Sequence, residues 1–459
     1  MKRMLIWLLL LVPLCARGEE LLFPARVNGK WGYINGAGEM VIAPQWQMAE
    51  GFSNGFALVE GENGKGVIDR QGNAMLELVY GDIAPYSWIY RIRGENEAGK
   101  TKYSYFDPIS GYLSPFVYDA VEDFFRDDPA APLTVWIENP SRVTYILPAT
   151  GEKAFENEYD LLHDDNEFCE GYTLAANECV EYDSEGNIWT WYPEFHLIDT
   201  TGKETIFPES IFPDSQVQEG YLRIGRNLTE EEWAARESGW GVAYGLAKPS
   251  GEIIVEPQYD YLYPPAEGCV VIMQNYRLGH IDLETGLVVE PRFEFITDSL
   301  PNYTFSNGYA LLYPVKQGDK EWGQLLIDRQ GREIFSAWEE DEIRLESHVF
   351  TPGGLCVYEK NDQYGLMKIS EGNAVLLTEA IYEKINYWDS WHDMEHPLES
   401  GWLPVKMKGL WGYVNEHAEL IIPPQWEEAD IFCQGLARVE KNGKMAYINL
   451  LGDIIWQEP

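Results

Sequence analysis

The sequence predicts an all-β array of tandem units, and three observations carry that expectation. A block of Trp-Gly, a turn and an apolar strand ending at Pro recurs along the chain, the closest copies are spaced by 34 residues, and helical periodicity is almost absent. The clearest copy spans residues 28–60 and returns near the other end at 408–440. Trp31-Gly32-Tyr33-Ile34-Asn35 corresponds to Trp411-Gly412-Tyr413-Val414-Asn415, and Val41-Ile42-Ala43-Pro44-Gln45-Trp46 to Ile421-Ile422-Pro423-Pro424-Gln425-Trp426. Gly55-Phe56-Ala57-Leu58-Val59-Glu60 then matches Gly435-Leu436-Ala437-Arg438-Val439-Glu440.

Weaker copies keep the frame. The glycine of the dipeptide, or its equivalent, stands at Gly32, Gly66, Gly245, Gly279, Gly323, Gly365 and Gly412, with Ala446 in the final copy. Spacings lengthen to 44, 42 and 47 between Gly279 and Gly412, which places insertions in loops there. Degenerate starts at 105–111, 145–151 and 196–202 fill the centre and bring the count to about eleven units.

Each block has a mechanical meaning. The first is a short strand ending in a turn such as Asp69-Arg70-Gln71-Gly72, where the acid opens the turn and Gly supplies positive φ. The second is a Val/Ile-rich strand, expected to stop at Pro44, Pro257, Pro291 or Pro424, because Pro cannot donate to a ladder. The third follows a Gly such as Gly55 or Gly435. Trp31, Trp322 and Trp411 read as core wedges between units, with the next residue, Gly32, Gly323 or Gly412, admitting a close backbone approach. A three-stranded meander cannot bury its own apolar face, so units must stack. About eleven units, at one unit per blade, overshoot the 4–8 blades of an ordinary propeller. The expectation is a curved, open β-solenoid or superhelical array, with propeller-like or toroidal closure as the alternative. One helix is expected at 229–237, where Thr229 and Glu232 have capping-box spacing.

These blocks resemble the WG-repeat family, named for the dipeptide and common in bacterial proteins. The resemblance covers most of residues 28–459, strongly at both ends and from Gly241 to Val315, faintly between about 95 and 235. It implies β-rich interaction modules, and it brings no catalytic motif and no cofactor onto this chain. The expected organisation is a signal peptide at 1–18, N-terminal repeats at 19–94, degenerate repeats with insertions at 95–238 and C-terminal repeats at 239–459.

The leader reading rests on Lys2 and Arg3, the apolar run from Met4 to Leu14, and Ala16 and Gly18 before the expected cut. That run is short of the ~20 residues that span a bilayer. The expected location is therefore secreted or cell-envelope, with a lipoprotein anchored through Cys15 as the alternative. Losing the leader takes the formal charge from −41 to −44, a field that repels phosphate backbones and argues against nucleic acid. Cys169, Cys179, Cys269, Cys356 and Cys433 are odd in number and lack metal-site spacing, although Cys169 and Cys179 could pair.

Chemistry-bearing patterns are few. His392-Asp393-Met394-Glu395-His396 fits the H-x-x-E-H pattern of zinc proteases, which needs a helix, yet it lies in a loop insertion between Trp391 and Pro397. The acidic runs at 164–167 and 339–342 lack calcium-loop spacing, so no metal is assigned. Tryptophans outside the repeat frame, Trp388, Trp391, Trp402, Trp189 and Trp191, are the candidate binding residues, because flat aromatic faces serve as sugar platforms and protein hot spots. The functional expectation is a non-catalytic scaffold for a protein or glycan partner. A metal-dependent hydrolase using His392, Glu395 and His396, and a purely structural spacer, are the alternatives.

Overall fold

A computed structural model describes residues 21–123, 126–137, 142–157, 159–160, 167–182, 188–236, 241–295, 305–338, 341–346, 354–370, 372–385 and 401–459. The described chain is antiparallel β throughout, with one short helix, Glu230–Ala234, closed by the expected capping box between Thr229 and Glu232. Nine sheets are present among the described residues. Two of them, of six and eight strands, each hold two units, so the units number eleven: 22–46, 48–80, 82–113, 120–146, 159–199, 212–259, 261–295, 305–337, 343–376, 384–426 and 428–457. The degenerate starts in the centre are real units; their turn glycines Gly111, Gly151 and Gly202 all have φ between 72° and 80°.

The typical unit has four strands rather than three. In the second unit Met48–Ala49, Phe56–Glu60, Lys65–Asp69 and Ala74–Tyr80 pair in chain order. The extra, short strand arises because the last strand of one unit continues, after a single residue, into the first strand of the next. Trp46, Tyr80, Tyr259 and Trp426 each end one sheet, and Met48, Asp82, Tyr261 and Glu428 begin the neighbour. Between the seventh and eighth units the interruption disappears. Val288–Phe295 pairs through Phe293 with Leu278 of its own unit and through Phe295 with Val315 of the next.

The signature glycine has a backbone cause. Trp31 pairs with Trp46 and Tyr33 with Ile42, so Ala43, Pro44 and Gln45 all bulge opposite Gly32. The bulge lies on the glycine's Cα: a Cβ there would meet Ile42 O and stand 2.7 Å from Pro44 N. The same three-against-one bulge faces Gly245, Gly279 and Gly412, where a Cβ would stand 2.7–2.8 Å from the nitrogen of Pro257, Pro291 and Pro424. These prolines therefore sit inside their strands, contrary to the expectation that they end them. A bulge removes a residue from the ladder, so its missing N–H is no loss.

Trp31 and Trp411 pack between units as expected. Trp322 does not; it is half exposed at φ 57°, and Gly323 faces the ring of Trp338. Counting back from the turn acid, three residues from Asp328 as from Asn35 or Asp282, places Leu325 at the glycine position in this unit.

Eleven buried clusters lie among the described residues, each at a junction of two units. Ten join successive units, as when Tyr33, Ile42 and Trp46 pack on Ala57, Val59 and Ile68. The eleventh joins the last unit to the first through Leu436, Met445 and Tyr447 on Ala25 and Ile34. The contacts at this junction repeat those inside the array. Tyr33 Oη donates to Glu50 O at 2.7 Å and Tyr413 Oη to Asp430 O at 2.8 Å, each one unit on; Tyr447 Oη donates to Pro24 O at 2.9 Å. Turn glycines Gly72 and Gly452 lie against Ile42 and Ile422 of the preceding unit, and Gly38 lies against Ile455. Arg26 adds a two-pronged bond to Glu458 at 2.8 and 3.0 Å. The first and last units thus share a buried core.

Replacing Gly412 with Ala should destabilise the protein by about 3 kcal/mol, the upper range for overpacking, since only backbone can give way. Gly36→Ala, at a site with open space, should stay within about 0.5 kcal/mol in the same urea titration. Hydrogen bonds from Arg26 hold the Glu458 carboxyl below its usual range. Its stabilisation should therefore be complete above about pH 4.3 and fade as pH falls through the lower folded value, a dependence that Glu458→Gln should remove from acid unfolding curves.

Candidate functional site

The candidate binding residues divide three ways. Trp388 and Trp391, with His392, Glu395 and His396, lie outside the described residues, as do residues 164–166 and 339–340 of the acidic runs. Trp189 and Trp191 belong to the strand Ile188–Asp199, which forms a long two-stranded ribbon with Tyr172–Tyr182, rather than to a loop. Trp402 is a packing residue. It enters the strand Leu403–Met407 and meets Phe432 edge-on at 5.8 Å, within the core joining the tenth and eleventh units. Among the described residues no three His, Cys, Asp or Glu side chains stand close enough to hold a metal ion.

Sequence reasoning took Gly55 and Gly435 only as strand starts and assigned no role to the turns that hold them or to their equivalents. Asn54-Gly55, Glu170-Gly171, Glu219-Gly220, Glu267-Gly268, Asn307-Gly308 and Gln434-Gly435 are all left-handed pairs, φ near 50° then between 70° and 91°. Two successive left-handed residues aim their N–H groups the same way, which makes a small anion-binding concavity. The protein turns its own carboxylates onto four of these pairs. The Glu170 carboxylate accepts from Glu219 N and Gly220 N at 2.6 and 2.7 Å, and Glu219 accepts from Glu267 N and Gly268 N at 2.7 and 2.8 Å. Glu267 then accepts from Asn307 N and Gly308 N at 2.5 and 2.8 Å. Asp127 begins this run by accepting from Glu170 N at 2.7 Å.

The same rim continues backwards through other polar contacts. Asn54 Nδ2 donates to Ser87 O at 3.0 Å, and Trp88 N to Asp123 Oδ2 at 3.0 Å. Asp123 is fully buried with Arg126, 2.5 Å from its Nε, and Arg126 also donates to Pro129 O and Ala131 O. Burial raises the Asp123 carboxyl and the Arg126 bonds oppose it. From the second unit to the eighth, one polar seam stitches adjacent turns. The legible signal was the Glu-Gly dipeptide at 170–171, 219–220 and 267–268, ahead of three different second strands. Chemically this rim is a rigid row of acceptors already paired with backbone donors, suited to holding loops in fixed relation rather than to proton transfer.

Fold and rim together define a β-repeat protein whose units are held by both apolar and polar seams. The family model described as WG containing repeat matches residues 31–65, 244–277 and 411–444, so the chain carries this repeat at three places. No curated protein matches the chain. Among solved structures, BamB from Moraxella catarrhalis is similar at 10% identity and TM-score 0.29, over 78% of this chain and 93% of that one. A eukaryotic initiation factor is similar at 8% identity and TM-score 0.39, over 96% of each chain. The extracellular domain of the one-component system BT4673 from B. thetaiotaomicron is similar at 11% identity and TM-score 0.22, over 95% of this chain and 69% of that one. No helix among the described residues is long and apolar enough to cross a membrane.

Replacing Glu219 with Ala leaves Glu267 N and Gly268 N without their acceptor and should cost about 2 kcal/mol, the range for hydrogen bonds to a charged group. Glu219→Gln, which keeps one acceptor oxygen, should lose less. Hydrogen exchange at those two amides reads both.

Proposed function

We propose that this protein is a non-catalytic interaction scaffold, exported from the cytoplasm, whose eleven units close into a ring that displays its inserted loops to a protein or glycan partner. The observation that carries the reading is the junction of the last and first units. It uses the tyrosine hydroxyl bond of Tyr33 and Tyr413, the turn-glycine contact of Gly72 and Gly452, and an apolar core like those between successive units. A ring with no free end holds long insertions at fixed separations, which lowers the ordering cost of binding. The WG containing repeat at three places and the leader-like first 18 residues agree with an exported repeat scaffold.

Two measurements test it. Tyr447→Phe should lose about 1 kcal/mol in urea unfolding, as Tyr33→Phe and Tyr413→Phe should, whereas a chain whose ends are not joined would show the loss only for the latter two. Affinity capture with residues 19–459 from envelope and culture-supernatant fractions of its own source should return a specific protein or glycan that is released when Trp388 and Trp391 are changed to Ala. An empty capture would overturn the binding reading, and stoichiometric zinc in the purified chain would overturn the non-catalytic one.

A further inference from the structure

His280 stands where other units carry tyrosine. Tyr33 meets Phe52 of the next unit at 4.7 Å between ring centroids, and Tyr413 meets Phe432 at 4.8 Å; His280 meets Phe305 at 4.8 Å in the same way. Imidazole is shorter than phenol. It does not span to the next unit's first strand as Tyr33 and Tyr413 do, and its Nε2 donates instead to Arg329 O at 2.7 Å. The shortfall leaves a small cavity at the joint, walled beside His280 by Val271, Leu278, Phe293, Phe305, Leu312 and Ile327.

Because Nε2 must carry the hydrogen given to a carbonyl, neutral His280 holds a lone pair on Nδ1. That nitrogen is buried and has no hydrogen-bond partner, and the side chain is 1% exposed. A second proton would have to sit on Nδ1. The charged groups around it come from three sides: Asp282 on the same strand, Arg292 on Val288–Phe295, and Asp328 with Arg329 at the end of Lys320–Asp328 and its turn. Asp282 is occupied by Glu284 N and Thr285 N, and Asp328 by Gln330 N, Arg332 N and Arg332 Nε. The flanking strand Cys269–Gln274 offers Val271 and the Cys269 thiol, which burial pushes up to about 11 and which stays neutral. Tyr309–Gln317 offers Ala310 and Leu312.

We propose that the joint between the seventh and eighth units is an acid-sensitive hinge: protonation of His280 at Nδ1, which no acceptor in the closed joint can meet, drives this joint open while the tyrosine joints stay shut. Burial, the largest influence on this imidazole, holds it below its usual range, against smaller opposing pulls from the Arg329 carbonyl, Asp282 and Asp328. The sign follows. Below the unfolded value of about 6.5 the open form binds more protons than the closed one, so closure weakens as pH falls.

Hydrogen exchange of the full mature chain at about pH 7.5 and about pH 5, corrected for intrinsic rates, tests the hinge. Opening at Arg277–Asp282 and Tyr309–Gln317 should rise about tenfold in acid, a change that Lys30–Asn35 and Leu410–Val414 should not share. His280→Tyr should abolish the rise, and His280→Gln, polar but unable to titrate, should leave the joint equally loose at both pH values. Unchanged protection of the joint in acid, or an equal acid effect in His280→Tyr, would overturn the proposal.

Discussion

A backbone laid directly on a glycine is the constraint from which the rest of this structure follows. With Pro44, Pro257, Pro291 or Pro424 bulged over Gly32, Gly245, Gly279 or Gly412, the outer strand gains two residues on its partner and bends away from it. The bend carries the chain out of one sheet and, after one residue, into the next at Trp46, Tyr259 and Trp426, while at Phe293 the strand runs on unbroken into the next unit. An aromatic residue, Trp46, Tyr259, Phe293 or Trp426, stands opposite the residue before each glycine and ends the bulge. The Trp-Gly dipeptide is thus half of a corner whose other half is the apolar-Pro strand, and neither works alone.

The junctions between units carry two kinds of contact. Apolar side chains fill the space between sheets, and hydroxyl or carboxylate groups reach across to main-chain atoms of the neighbour. The second kind sets direction. Glu170, Glu219 and Glu267 each accept from the turn one unit further on, so this rim reads the same way from unit to unit. Carboxylates bound to backbone donors also account for part of the acidity without leaving those charges free to repel one another. The acidic composition is thus in part a structural adhesive.

Much of this was legible in the residues. Eleven units, their turn residues and the capped helix at Thr229 follow from Gly spacing and turn chemistry, which act locally. The fourth strand was not legible, because Met48-Ala49 or Glu428-Ala429 is too short to show alternation and exists only by pairing. Nor was the place of Pro44 inside its strand, which depends on a partner three residues out of step. Trp322 misled because Trp-Gly was taken as sufficient, when the turn acid Asp328 fixes the frame and puts Leu325 at the glycine position, where it pairs with Ser336 and no bulge forms. Of the candidate site, Trp402 is partly buried against the core of the tenth and eleventh units, and a lone aromatic ahead of a strand carries no sign of what covers it. The Glu-Gly turns were visible as dipeptides, but only packing shows that each carboxylate faces the next turn.

The one-residue links between sheets bear on how such a chain can change in evolution. A domain tied by a flexible linker can be lost, gained or reordered; a unit whose outer strand is already the beginning of its neighbour cannot be removed without breaking two sheets. With the terminal units also in contact, a gained or lost copy would have to be accommodated at the junction of last and first as well. The unequal spacings between Gly279 and Gly412 mark where the frame admits extra length without breaking a shared strand.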